Sequence, residues 1–193
     1  MKFFVVGLHS SGKSDVIDFL EKKGIKCGHI FSDLEIIKES IYGSTNYESY
    51  TIKDVNEVFE NDAYIFVQEC KHKDTRYYEG LSKYSFENNE VFYLSPDQLV
   101  KCSFTNISEP ICFVWLDNTR SHRLTKHAED RRTYNFKQRE ELETQDLSTF
   151  VKLIYSKPHL YFSNEDPIRV AAIIYTMITS PESQNIFFSN FNN

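Results

Sequence analysis

The stretch Gly7-Leu8-His9-Ser10-Ser11-Gly12-Lys13-Ser14 decides how the rest of the chain is read. It matches G-x-x-x-x-G-K-[ST] at every fixed position. Glycine at both ends lets the backbone curl until successive N–H groups point inward, which makes a seat for phosphate oxygens. A helix starting near Lys13 adds the positive end of its dipole. Lys13 is placed to bridge β- and γ-phosphates, and Ser14 to hold Mg²⁺ through its hydroxyl. The flanks agree with this reading. Lys2–Val6 is a short apolar run that suits a buried parallel strand, and Val16, Ile17 and Leu20 follow at helical spacing with charges between them.

Working outward, Gly24 stands where a helix C-cap glycine belongs, and Lys26–Phe31 reads as the next strand. Leu34–Ile41 and Ile52–Phe59 have helical spacing around a polar loop. Ala63–Val67 reads as a strong strand, Asp74–Glu87 is polar and Tyr-rich without a clear period, and Glu90–Leu94 is another strand. Pro96 opens a helix to about Lys101. Ile111–Leu116 is a clear buried strand, Arg120–Asp130 is densely charged, and Gln138–Ile154 reads as one long helix. His159–Phe162 is the last strand and Pro167–Ile178 the last helix. Strands alternating with helices imply an α/β fold: a three-layer, doubly wound parallel sheet with right-handed crossovers.

Composition narrows the classes. The chain has 193 residues, 40% hydrophobic, enough for one compact domain with a small lid. Its formal net charge of -6 lacks the basic surplus of a non-specific nucleic-acid binder, so a nucleic-acid partner is not favoured. Cys27, Cys70, Cys102 and Cys112 show neither C-x-x-C nor zinc spacing; Cys27, Cys70 and Cys112 lie in apolar runs and read as core thiols of a reducing compartment. Met1–Val6 is too short for a signal peptide, and no run approaches about 18 apolar residues. A cytoplasmic chain with no membrane partner is therefore expected.

With these features the chain resembles the P-loop nucleoside monophosphate kinase superfamily. Besides Gly7–Ser14, the segment after Ile111–Leu116 carries Arg120, Arg123, Arg131, Arg132 and Arg139. In such kinases a lid after the fourth core strand brings arginines over both nucleotides, where guanidinium forks neutralise the transferring phosphoryl group. The resemblance therefore implies a P-loop NTPase fold, with a kinase domain at 1–179, a lid at approximately 118–140 and a tail at 180–193. It also implies ATP and Mg²⁺, and a catalytic set of Lys13, Glu69, Arg120, Arg123, Arg132 and Arg139. The donor would sit on Gly7, His9, Ser10, Ser11, Gly12, Lys13, Ser14 and, beside its base, Asn164. Ser14 is the expected metal ligand.

Some details resemble guanylate kinases: Asp74-Thr75-Arg76, Glu79-Gly80, Tyr84 and Phe92–Leu99. That likeness implies an acceptor held by Arg76 and Tyr84; Asp33, after the strand Lys26–Phe31, is a strand-end carboxylate placed where an acceptor would sit. Val100–Pro110 is too short for the strand and base-reading segment that family has there, so guanine specificity is not implied. Glu69 is expected to end a core strand next to Lys2–Val6 and so to orient Mg²⁺ or take the acceptor's proton; Asp117, after Ile111–Leu116, is an alternative. His9 is expected to be exposed, and Trp115 to serve packing.

The reading on these residues is an ATP-dependent phosphotransferase with a nucleotide donor and a small nucleotide acceptor, most simply a (deoxy)nucleoside monophosphate. Two rivals stand beside it: a kinase for a hydroxyl of a modified base or sugar in nucleic acid, and a non-catalytic nucleotide-binding module.

Overall fold

The structure is a computed structural model that describes residues 1–32, 64–72, 75–104, 107–129 and 135–189. Its centre is a five-stranded parallel sheet formed by β1 (Lys2–Val6), β2 (Cys27–Gly28), β6 (Val91–Leu94), β7 (Ile111–Asp117) and β8 (His159–Ser163), in the order β2-β6-β1-β7-β8. β1 is the middle strand, with Val6 opposite Leu94 on one side and Trp115 on the other. All five C-terminal ends therefore open on one edge. The chain first builds to one side of β1 and then to the other, so the switch in direction lies at β1, where open α/β sheets bind their ligands.

Alternation along β1 separates two apolar faces. Phe3 and Val5 meet Val16, Ile17 and Leu20 of α1 (Lys13–Lys22) and Val170, Ala171, Ile174 and Met177 of α7 (Pro167–Thr179). Phe4 and Val6 face the opposite layer, which holds Phe86 of α2 (Lys83–Asn88), Leu99 of α3 (Pro96–Leu99), and Phe150 and Ile154 of α6 (Leu147–Tyr155). Phe4 stacks on Phe92 at 5.0 Å, and Trp115 meets Phe150 edge-on at 5.5 Å, which fits its expected packing role. Helices thus cover both faces, giving the α/β layering read from the sequence.

A second sheet was not anticipated. β3 (Phe31–Ser32), β5 (Thr75–Ser82) and β4 (Tyr64–His72) form an antiparallel sheet in that order, and Ile65, Phe66 and Leu81 join the α2–α3–α6 layer. The single strand expected at Lys26–Phe31 is therefore two short ones: Cys27–Gly28 in the parallel sheet and Phe31–Ser32 in the antiparallel one. The strand expected at Ala63–Val67 is longer and sits outside the parallel sheet. Asp74–Glu87 resolves into β5 followed by α2.

The long helix expected at Gln138–Ile154 is two: α5 (Phe136–Thr144) and α6, parted at Gln145 and Asp146. Asn135 caps α5 by accepting from the Gln138 amide at 3.2 Å. α5 buries only Phe136 and Glu143, whereas α6 buries Phe150 and Ile154 in the core, so the two helices answer to different surfaces. The expected tail contains α8 (Pro181–Ser189), where the Gln184 side chain donates to the Met177 carbonyl at 2.7 Å. The helices expected at Leu34–Ile41 and Ile52–Phe59 lie outside the described residues. Cys27, Cys102 and Cys112 are free thiols, and burial pushes Cys112 up to about 12. Among the described residues no helix is long and apolar enough to cross a membrane.

Phe150 is fully buried between α6 and the sheet. Phe150→Ala should lower the unfolding free energy by about 3–5 kcal/mol, read from urea denaturation. A loss below about 0.5 kcal/mol, the level of a surface change, would contradict this packing.

Candidate functional site

The turn from β1 into α1 has no room for a side chain at two points. A Cβ on Gly7 would stand 2.5 Å from the Leu116 carbonyl oxygen of β7, and one on Gly12 would stand 2.5 Å from Cγ of Pro167. Gly12 also has φ 89°, and Ser10 has φ 57°. Left-handed residues interleaved with right-handed ones turn neighbouring amides toward a common concavity. Gly12, at the N-cap of α1, has no side chain to accept from the first amides of the helix. The Lys13 ammonium folds back over the loop and donates to the carbonyls of Gly7 (2.7 Å) and Leu8 (2.9 Å).

Neighbouring strand ends hold this loop. Asn118, just past β7, donates to the Ser11 carbonyl at 2.9 Å. Asn164, in the left-handed region after β8, accepts from the Thr119 amide at 2.8 Å and so ties the ends of β7 and β8 together. A cavity of about 420 Å³ opens beside Ser10–Gly12; its walls include Asp15 and Phe19 of α1, His122 and Lys126 of α4 (Arg120–Glu129), and Pro167. Lys126 pairs with Asp15 at 2.9 Å.

On its other side the loop is covered by α5. His9 is 5% exposed, contrary to the expectation of an exposed side chain, and its ring packs on Phe136 with centroids 4.2 Å apart. The Glu143 carboxylate is 1% exposed; it accepts from the His9 amide at 2.6 Å, faces His9 Nδ1 at 3.0 Å, and accepts from Arg139 Nε at 2.8 Å. Burial pushes this carboxyl up. The hydrogen bonding of His9, then the charges of Arg139, Lys13 and His9, outweigh burial and bring it down to about 2.

The arginines converge only in part. Arg123 is 3% exposed; it donates through Nε to the Asn118 carbonyl at 3.3 Å and pairs through Nη2 with Glu140. Its Nη1 is buried with no hydrogen-bond partner among the described residues. Arg120, more exposed, meets the other oxygen of Glu140 at 2.9 Å, and both guanidinium groups lie over the Phe136 ring. Burial acts to raise Glu140, but hydrogen bonds from Arg120 and Arg123 prevail and lower it. Arg139 extends from Glu143 toward the end of β6, with Nη2 at 3.4 Å from Ser95 Oγ and 3.9 Å from Asp97. Arg132 and Asp33 lie outside the described residues.

One further expectation, for Glu69, is corrected. Glu69 does not end a core strand: it is exposed within β4 of the antiparallel sheet, opposite Tyr78. The neighbours of β1 are β6 and β7, and the carboxylate that follows β6 is Asp97. Asp117, at the end of β7, accepts from the Tyr161 hydroxyl at 2.6 Å and is engaged there. Tyr84 is 70% exposed on α2, and Arg76 lies on β5 opposite Lys71. Ser14 is exposed at the start of α1.

The sequence reading missed Asn118, Asp97, Phe136, Glu140 and Glu143. Only the four-residue spacing of Arg139 and Glu143 was visible beforehand, and that spacing marks a surface pair on any helix.

No protein-family model matches the chain, and no curated protein matches it. Among solved structures, a guanylate kinase from Anaplasma phagocytophilum is similar at a TM-score of 0.49 and 11% identity, over 92% of this chain and 84% of that one. At that score and identity the similarity is one of overall shape and says nothing of substrate or chemistry.

Glu143 links this site to stability. A carboxyl lowered on folding from 4.5 to about 2 contributes about 3 kcal/mol, fully present above pH 4.5 and lost as pH falls toward 2. Glu143→Gln should therefore be less stable than the parent at pH 7, and the gap should close across that window. Urea denaturation at pH 7, 4 and 3 reads it, and a gap independent of pH would contradict the assignment.

Proposed function

We propose that the chain is an ATP-dependent phosphotransferase whose acceptor is a nucleotide, most simply a (deoxy)nucleoside monophosphate. The observation that carries this reading is the loop itself. A turn with left-handed Ser10 and Gly12 leads into an uncapped helix, carries a lysine over its mouth, and sits at the switch of a parallel sheet. That combination is built to receive a polyphosphate.

The donor's phosphates would lie on Gly7–Ser14. Its sugar and base would enter the cavity beside Ser10–Gly12, whose size is that of a small-molecule pocket. Asn164 would shape the rim of that pocket through its bond to Thr119 rather than by pairing with the base. Lys13 would leave its two loop carbonyls for the β- and γ-phosphates. Arg123 would add Nη1, which is buried and has no acceptor among the described residues. Arg139 would span from the loop to the end of β6, and Arg120 would close from the surface. Arg132 is carried only by its place among the arginines. Asp97 takes the role expected of Glu69, as the carboxylate beside the acceptor. Arg76 on β5 and Asp33 would hold the acceptor's phosphate; Tyr84, exposed on α2, would do so only from the rim. Residues 118–140 are proposed as the lid within a kinase domain of 1–179.

Mg²⁺ fits this set in one way. Among the described residues no cluster of three or more His, Cys, Asp or Glu side chains could hold a metal. The exposed Ser14 hydroxyl is a hard oxygen ligand, and Mg²⁺ usually binds with substrate phosphates and its own waters. Ser14 would hold the ion, which when bound neutralises phosphate charge.

The test is transfer of label from γ-labelled ATP to a panel of nucleoside monophosphates. We expect transfer to at least one of them, and a loss of at least about a hundredfold in Lys13→Ala and Arg123→Ala, the scale of removing one charge-stabilising donor. Unchanged transfer in Lys13→Ala would contradict the proposal. ATP bound without transfer to any monophosphate would favour a nucleic-acid hydroxyl acceptor or a non-catalytic module.

A further inference from the structure

The cations assigned above to a nucleotide are already facing anions of the chain's own. Glu143 accepts from a loop amide and from Arg139, and the Lys13 charge acts on it. Glu140 takes Arg120 on one oxygen and Arg123 on the other. Both carboxylates stand on α5, four or fewer residues from Arg139, and Phe136 of the same helix packs against His9 and beneath the two α4 guanidinium groups. A nine-residue helix with almost no apolar face thus meets the loop through Glu143 and the Phe136 ring, and α4 through Glu140 and the same ring.

We infer that α5 is an autoinhibitory strap: Glu143 and Glu140 stand in for the phosphates of the nucleotide and must be displaced before a polyphosphate can bind. This rests on the reading of Gly7–Ser14 as a polyphosphate seat, and adds to it that the seat is occupied from within. The physical reason is competition. A triphosphate brought to Lys13, Arg123 and Arg139 meets two carboxylates at close range, one of them fully buried, so the two sets of anions exclude each other. Affinity is then reduced by the fraction of molecules in which the strap is open. The coupling is reciprocal, so phosphate must loosen α5 to the extent that α5 opposes phosphate.

The experiment uses inorganic tripolyphosphate as the probe, with binding read by calorimetry on the whole chain. Glu143→Gln keeps the shape of the side chain and removes its charge; it should bind at least about tenfold more tightly than the parent, within the usual range of such coupling. Glu140 is only partly buried, so Glu140→Gln provides a second variant less exposed to folding failure, and it should also tighten binding. Equal or weaker binding in both folded variants overturns the strap. On the unaltered chain, saturating tripolyphosphate should speed amide exchange across Phe136–Thr144, while amides of the Gly7–Ser14 loop slow; slower exchange in α5 would overturn it independently of any substitution. Lys13→Ala should abolish binding in each background. If neither the parent nor the variants bind tripolyphosphate, the polyphosphate reading falls and the strap with it. Binding that is retained but insensitive to Glu143 and Glu140 removes the strap alone.

Discussion

Two contacts without room for a methyl group hold the site together: Gly7 against the Leu116 carbonyl, and Gly12 against Pro167. Through them the turn after β1 touches β7 on one side and the start of α7 on the other. The first fixes how far the loop can rise from the sheet. The second fixes where α1 begins, because the left-handed φ of Gly12 aims the helix beside α7. Asn118 completes the frame by bonding the Ser11 carbonyl from the end of β7. A loop held this way has its curl fixed from outside, while its His9 amide is taken up by Glu143 and its Ser11 amide by the Leu8 carbonyl. Placement is set by the sheet, whose strand ends all face one edge.

Electrostatics gives the site its second character. Lys13, Arg120, Arg123 and Arg139 gather on one side of a chain whose net charge is negative. Left without anions they would repel one another, and their partial burial would add a desolvation cost. Glu140 and Glu143 relieve both problems, which accounts for the depression of both carboxyls despite burial. Breaking such a pair leaves an uncompensated charge behind, so the pairing is costly to lose unless another anion arrives.

How much of this was legible follows from which interactions are local. The loop could be read from eight consecutive residues because its curl depends on glycines at fixed positions and its one cation follows directly in sequence. β1 and β7 were legible as continuous apolar runs, because both of their faces are covered, and α7 from its helical period. The antiparallel sheet was not: Thr75–Ser82 alternates weakly, and its pairing with Tyr64–His72 depends on register between segments rather than on either one. Glu69 departs from its expected place for that reason: an apolar run by itself does not say which of two sheets it joins. Glu143 was hidden more deeply. A glutamate on a charged helix has the pattern of a solvated face, and only the docking of that helix on His9 turns it inward.

The break at Gln145 and Asp146 gives the two halves of one helical stretch different allegiances. α6 is anchored through Phe150 and Ile154 to the layer that also carries α2 and α3, whereas α5 buries one ring and one carboxylate and otherwise reaches its neighbours through polar side chains, Glu140 toward α4 and Arg139 toward Ser95 and Asp97. At the joint one helical ladder stops and another starts, so a shift of α5 does not of itself lift Phe150 and Ile154 from their seats: the hinge is placed where the apolar anchoring begins.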